Sequence, residues 1–299
     1  MTSQIATAYV NQFSANVMML AQQKESRLIQ ACRRETLTGE FGYFDQFGSV
    51  EPVERTSRHA DTPMTDLPQS RRRVSAQDWE LAEIVDRQDT NRTLMDPQAA
   101  IVKAFAAGMN RKKDTVFMTN FFGSAHTGKA GATTTSFTSG NQVAVDYVES
   151  GTATNSSLTI GKLRRARELL MDAEVGEDDP LYIACSQREI NALLRTTEVS
   201  SEDYNSVKAL VNGEVGTFMG FTFIRVPSAR LLTNGSSNRR IPVWHPDGML
   251  FASMEEPVTK AAEDPTKGFN TRVYMRASFG ATRMEEARCV ELICHPTTF

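Results

Sequence analysis

The sequence contains no run approaching ~18 consecutive apolar residues, which excludes a conventional membrane-spanning helix. Its opening, MTSQIATAYVNQF, lacks the basic start and apolar block of a secretion signal. Cysteine is scarce. Cys32, Cys185, Cys289 and Cys294 are scattered with no C-x-x-C pair, so buried reduced thiols are expected rather than a zinc site or a disulfide frame. Excess positive charge is lacking too: the formal net charge is −3 and the pI is near 5.9, against the strongly basic face of a dedicated nucleic-acid binder. Lysine is absent between Lys24 and Lys103.

What is present is a chain of 299 residues, 40% hydrophobic, enough for a real core and for one or two domains. Metal-ligand and catalytic spacings are missing from it. His59, His126, His245 and His295 are each without a second ligand three or four residues away on a helix face. No G-x-S-x-G elbow occurs. The acidic runs Glu177-Asp178-Asp179, Glu255-Glu256 and Glu285-Glu286 read as solvated turns. No catalytic residue, metal site or cofactor is expected.

One stretch argues the other way. Gly123 to Lys129 (GSAHTGK) completes G-x-x-x-x-G-K, the pattern of a phosphate-binding loop. Such a loop needs a Ser or Thr after the lysine for magnesium, and Ala130 stands there. It also needs a helix starting at the lysine, whose N-terminus holds the phosphates. The chain continues AGATTTSFTSG, which reads as loop. A nucleotide-binding enzyme using 123–129 is therefore the weaker alternative.

Periodicity predicts a helix over 4–33 with Tyr9, Phe13, Val17 and Leu20 on one stripe. Asp96-Pro97 opens another, lined by Ile101, Ala104, Phe105 and Met109. Asp114–Phe122 and Gln142–Val148 read as strands. A helix over about 158–174 has Ile160, Leu163, Ala166 and Leu170 inward. Leu181–Cys185 reads as a buried strand, followed by a Ser186/Glu189 capping box and a helix to Leu194. GTFMGFTFIRV reads as one strand, His245-Pro246-Asp247-Gly248 as a hairpin turn, and Thr271–Ser278 and Arg288–Cys294 as the last strands.

Residues 34–95 hold few aliphatics and no sustained period. Within them, 51–95 carry seven arginines and nine carboxylates. Disordered linkers favour Lys, Glu and Ser. Arginine's planar fork suits fixed ion pairs. The stretch reads as an ordered arm that lies on something else. The Arg71-Arg72-Arg73 run, in acidic surroundings, favours protein carboxylates over nucleic acid as partner.

The order of these parts resembles the major capsid proteins of tailed bacteriophages, the Hong Kong 97-like fold. LTIGKLRRARELLMDAEV followed by DDPLYIACSQREINALL looks like that family's spine helix leading into its axial domain. GEVGTFMGFTFIRVPSARL looks like its glycine–aromatic strand, and FNTRVYMRASFGATRMEEARCVELICHP like its closing strand pair. DPQAAIVKAFAAGMNRKKDTVFMTNFFGSAHTGKAG resembles a segment of some coats in which a helix ends in Arg-x-x-Asp, here Arg111 and Asp114. The resemblance implies an α+β fold divided as N-terminal arm 1–34, extended loop and flanks 35–95, peripheral domain 96–180 with a spine helix at about 158–174, axial domain 181–254, and closing peripheral strands 255–299. It implies a non-enzymatic coat that assembles in the host cytoplasm into hexamers and pentamers of an icosahedral virion shell around double-stranded DNA. A nanocompartment shell of the same fold is the runner-up. The implied partners are further copies of the chain, a portal, packaged DNA held non-specifically on the inner face, and no membrane. The short N-terminus leaves no room for a large scaffolding domain, so a separate scaffolding protein is expected, without a covalent cross-link. The candidates for inter-subunit contact are Arg55, Arg58, Arg71, Arg72, Arg73, Asp78, Glu80, Asp86, Arg87, Arg164, Arg165 and Arg167.

Overall fold

A computed structural model describes residues 22–58, 61–62, 64–86, 98–175, 179–193 and 216–296. The chain divides into two compact units. The smaller draws on 1–25, 78–111 and 255–278, the larger on 26–77, 112–254 and 279–299. The strands are β1 Arg33–Thr36, β2 Phe41–Phe47, β3 Gln69–Ser75, β4 Gln77–Val85, β5 Ala125–Thr127, β6 Thr133–Thr135, β7 Gln142–Val143, β8 Leu181–Cys185, β9 Thr217–Phe218, β10 Phe221–Arg225, β11 Arg239–Trp244, β12 Met249–Asp264, β13 Asn270–Arg283 and β14 Cys289–Cys294. The helices are α1 Gln98–Phe122, α2 Ile160–Asp172 and α3 Gln187–Leu193. They form an α+β architecture with sheets ordered β1-β12-β13-β4, β7-β14-β11-β8-β10-β9 and β2-β3-β5-β6.

The six-stranded sheet builds the main core of the larger unit. The inner stripe of α2 is where the sequence places it: Ile160, Leu163, Ala166 and Leu170 are buried, against Leu181, Ile183, Phe221, Val243, Val290 and Leu292. Thr159 caps the helix by accepting from the Lys162 N–H. The capping box of α3 is real. The Ser186 N–H donates to Glu189 Oε2 at 2.9 Å, and the Ser186 hydroxyl accepts from the Arg188 N–H at 3.3 Å. Because α2, β8 and β14 share this one core, a border at 180 runs through packed side chains.

Lys162 is the unusual member. It is 0% exposed, in the first turn of α2. Its ammonium donates to the carbonyls of Val145, Ser156, Ser157 and Ile293 at 2.9, 2.8, 3.1 and 3.0 Å. Burial lowers its pKa. The four carbonyls replace the water a buried ammonium loses, and they tie the 144–157 loop to the end of β14.

Several sequence-based expectations are corrected. Asp114–Phe122 is the last part of α1, not a strand. Asp114, Val116, Phe117, Met118, Phe121 and Phe122 are all buried, so the helix has no single apolar face and its period is hidden. Residues 22–33 hold only a short 3₁₀ turn at Ile29–Ala31 before β1; the rest of the 4–33 helix lies outside the described residues. GTFMGFTFIRV is two antiparallel strands: Met219 (φ 53°) and Gly220 (φ 83°) make a tight turn, with Phe218 opposite Phe221. His245–Gly248 is not a hairpin turn. It is a 3₁₀ turn that carries the chain from β11 in one sheet to β12 in another. Of 142–148 only Gln142–Val143 is strand. The irregular 34–95 segment holds β2, β3, β4 and most of β1 among its described residues. The Asp96-Pro97 cap, Glu177, Asp178 and residues 194–215 lie outside the described residues.

The end of α1 is closed by a side chain from β13. Arg283 is 0% exposed and its guanidinium donates to the carbonyls of Asn120, Phe121 and Gly123. Its Nε meets Glu286 Oε2 at 2.8 Å, and its Cζ lies 5.1 Å from the Phe137 ring centre. A cation at a helix C-terminus is favoured by the dipole and by the orphan carbonyls. Trp244 packs on Phe117, Phe121 and Tyr182 beside it and donates to the Ala31 carbonyl at 2.8 Å. All four thiols are free and buried, and burial pushes Cys32 and Cys294 up to about 12.

Candidate assembly surface

The Arg-rich ribbon resolves through the two-residue period of a strand. In β3, QSRRRVS, Arg72 and Val74 are buried while the residues between them turn outward. Val74 packs with Leu37, Phe44 and Ala252. Arg72 donates from Nε to the Met284 carbonyl at 2.8 Å, and its Nη2 lies 3.4 Å from Glu286 Oε1. Burial lowers the Arg72 pKa and the Glu286 carboxylate opposes that shift. Arg72 is thus committed inside the chain, which corrects its nomination as a contact residue. Three identical neighbours in sequence gave no signal for this split.

Arg71 and Arg73 face outward with the exposed side of β2. The strands pair antiparallel, Tyr43 opposite Arg73 and Asp45 opposite Arg71. Arg71 forks onto Asp45 at 2.5 and 3.0 Å, and that hydrogen bonding holds the Asp45 carboxyl below its usual range. The Arg71 Cζ lies 5.7 Å from the Tyr43 ring centre, and the Arg73 Cζ lies 4.7 Å from that of Phe41. The result is a ladder, Phe41–Arg73–Tyr43–Arg71–Asp45, in which cations alternate with rings and end on a carboxylate. Gly131 (φ +65°) lets the 128–132 turn pass over it; a Cβ there would stand 2.5 Å from Arg73 Cδ.

The hairpin closes with the Gly48 N–H donating to the Pro68 carbonyl at 2.8 Å. Beyond that clasp, the loop to Pro68 has no strand among its described residues. It exposes Val50, Val53, Met64 (96%) and Leu67, with Phe47 (67%) at its base. Glu51, Glu54, Asp61 and Asp66 stand among them. Arg55 donates to the Ser57 carbonyl at 3.0 Å and to that of Arg58, and both arginines are exposed. An exposed mixture of apolar and charged side chains on a tethered loop is a surface suited to another protein chain.

The remaining nominated residues lie elsewhere. Asp78 accepts from the Ser278 hydroxyl and Glu80 from Tyr274, whose pKa is raised by that bond. Asp86 is exposed at the end of β4. Arg87 lies outside the described residues. Arg164 pairs with Glu149 at 3.0 Å and Arg165 with Glu168 at 2.7 Å on the outer side of α2. Arg167 donates to the Met219 carbonyl at 3.3 Å. The Gly123–Lys129 segment ends α1 and forms β5 and a turn, and the chain then enters β6 rather than a helix. That arrangement lacks the dipole a phosphate loop needs.

Sequence reasoning missed one tether. On α1, Arg111 donates to Gln22 Oε1 at 2.6 Å and to the Gln23 carbonyl at 3.1 Å. Asp114 accepts from the Ser26 hydroxyl at 2.6 Å and from the N–H groups of Arg27 and Leu28 at 3.2 and 3.3 Å. The Arg-x-x-Asp spacing pointed at these two residues without saying what they hold.

Among the described residues no helix is long and apolar enough to cross a membrane. A family profile described as phage capsid protein matches residues 5–295. No curated protein matches the sequence. Among solved structures, the capsid of Ralstonia phage GP4 is similar at 12% identity, with 96% of this chain and 95% of that chain covered and a TM-score of 0.75. The head of Helicobacter pylori bacteriophage KHP40 shares 9% identity over 98% of both chains, TM-score 0.73. The capsid of Cyanophage P-SCSP1u shares 13% over 98% of this chain and 95% of that one, TM-score 0.72. At such identities the likeness is one of fold.

Proposed function

This chain belongs to the phage capsid protein family and is a major capsid protein of the Hong Kong 97-like fold, which builds the virion shell; from that premise we propose how its parts divide the work. The loop beyond the Gly48–Pro68 clasp, with the outward ladder at its base, meets neighbouring copies within hexamers and pentamers. Arg55, Arg58, Arg71 and Arg73 are its charged contacts. The 25-residue α1 serves as the spine. The α2 helix belongs with the six-stranded sheet as the axial domain. The observation that carries this reading is the ladder itself: a fixed, hydrogen-bonded stem presenting exposed rings, cations and an apolar tip.

Each exposed ion pair contributes only ~0–1 kcal/mol. Repetition through a closed shell multiplies such contacts, and their individual weakness lets misplaced copies leave. The chain has a structural rather than an enzymatic role. It assembles in the host cytoplasm with a separate scaffolding protein and a portal, and encloses double-stranded DNA on a wall that is not strongly basic.

The test is negative-stain microscopy of the expressed chain with its virion contents. Closed particles holding nuclease-protected DNA are expected. Particles filled with a protein cargo would point to a nanocompartment, and a lasting monomer at high concentration would overturn the shell.

A further inference from the structure

The root of the loop hairpin borders a polar cleft of about 730 Å³. Phe47 of β2, Ser70 of β3, Asp172 and Glu174 at the end of α2, and Glu286 and Arg288 before β14 are among its lining residues. Two of its carboxylates are uncompensated. Asp172 is the last residue of α2, and Glu174 follows it at φ 59°. Both are exposed, and neither makes a hydrogen bond or ion pair among the described residues. Arg165, the cation whose field reaches Asp172, is bound to Glu168. A helix C-terminus is itself the negative end of a dipole, so two bare carboxylates there call for a cation. The other acids of the cleft are matched, Glu285 to Arg288 at 2.6 Å and Glu286 to Arg283 at 2.8 Å. Beside them two polar atoms stay open. Arg72 Nη1 and Glu286 Oε1 are buried without a hydrogen-bond partner, the 3.4 Å approach of Arg72 Nη2 to Glu286 Oε1 being an ion pair only. An occupant that satisfies the cleft brings positive charge together with groups that donate and accept.

We infer that the segment Arg55-Thr56-Ser57-Arg58 of a second copy occupies this cleft. The inference rests on the reading of the loop as the part that meets neighbouring copies, and it names what receives the loop. All four residues are exposed. Arg55 donates to loop carbonyls, and neither Arg55 nor Arg58 forms an ion pair among the described residues. Two guanidinium groups thus stand without carboxylates on the tip, as two carboxylates stand without cations in the cleft. Complementary charge across an interface selects the partner and fixes the register. Phe47, 67% exposed, offers a guanidinium a ring to lie on. The Thr56 and Ser57 hydroxyls each donate and accept, as the open Arg72 and Glu286 atoms require. Glu54 turns aside when Arg55 turns in, because successive side chains of an extended segment alternate. No described residue of 50–67 lines the cleft within the same copy. The step from Gly48 to Thr56 can reach up to about 28 Å, roughly the width of a small domain. A tip held at the root of the next copy's loop is a head-to-tail contact, the kind that closes into rings.

The experiment is charge exchange in the full chain, read as particle yield by light scattering and negative stain. Asp172→Lys with Glu174→Lys should cut the yield by more than about tenfold, as should Arg55→Glu with Arg58→Glu, because like charges then face each other. All four changes together restore the attraction and should bring the yield to within about threefold of the parent. Glu83→Lys with Glu263→Lys restores the same net charge from the smaller unit and should not rescue the arginine variant. Asp172 and Glu174 are exposed and lysine suits a helix C-terminus, so the circular dichroism of the cleft variant should match the parent. No recovery in the combined variant, or equal rescue by the smaller-unit pair, overturns the assignment. Should the reversed chains not fold, Ser57→Cys with Ala173→Cys decides. Its particles should give disulfide-linked oligomers on non-reducing gels, and neither single variant should, since the native thiols are buried. Particles without linked oligomers overturn the assignment too. Shells lost on removal of 49–67, with no rescue by charge exchange, refute the cleft alone. Normal shells without 49–67 refute the loop reading beneath it.

Discussion

The Ser26 hydroxyl donates to the Asp114 carboxylate at 2.6 Å, across 88 residues of sequence. That bond and its two backbone neighbours end the N-terminal segment on α1. Hydrogen bonds to a charged group contribute about 1.5–3 kcal/mol each. Asp114→Ala should lower unfolding free energy by about 2 kcal/mol or more in urea titrations. It should also open trypsin cleavage at Lys24 and Arg27. An unmoved midpoint with an unchanged cleavage pattern would show that the tether is not holding the segment.

Neighbouring arginines should respond differently to loss. Arg72→Met leaves Glu286 paired with Arg283 but strands the buried Met284 carbonyl, and a cost of about 1–3 kcal/mol is expected. Arg71→Gln removes an exposed pair and should leave the melting temperature unchanged while weakening assembly. Equal thermal shifts in the two variants would mean that strand alternation is not what separates them.

Removing the loop tip tests assembly without touching the core. Residues 49–67 replaced by two glycines keep the Gly48–Pro68 clasp and the β2–β3 pairing. Circular dichroism should match the parent, and light scattering should show no particles. Normal shells from this variant would remove the loop from the assembly account.

Much of this was legible beforehand, and the failures share a cause. The α2 stripe and the Ser186/Glu189 box could be read because each is a local pattern facing a single environment. DTVFMTNFF could not, because α1 is buried around several faces and so loses its period. The Met219–Gly220 turn was hidden because methionine is not a turn residue, yet it takes a positive φ there. The inward turn of Arg72 depends on Met284 and Glu286, more than 200 residues away, and local composition does not carry it.

Stability should fall on mild acidification through His245. Its Nδ1 accepts from the Asp247 N–H at 3.2 Å, so the turn needs the neutral ring. Burial, then the nearby Arg288, lowers its folded pKa below 6.5. The unfolded chain therefore binds the proton more readily. The contribution of this site is complete above 6.5 and is lost as pH falls towards the folded value. His245→Asn keeps an acceptor for the turn and should flatten the loss between pH ~7 and ~5. An identical pH slope in parent and variant would assign the effect elsewhere.

The strict alternation along β3 has a consequence for how such a coat can diverge. Inserting one residue between Pro68 and Arg71, with the clasp kept, would exchange the two faces of β3 and bury Arg71 and Arg73 while expelling Arg72 and Val74. Insertions and deletions in related coats should therefore collect between Gly48 and Pro68. The length of the stem is conserved by geometry, and the tip is left open to change with each lineage's neighbours.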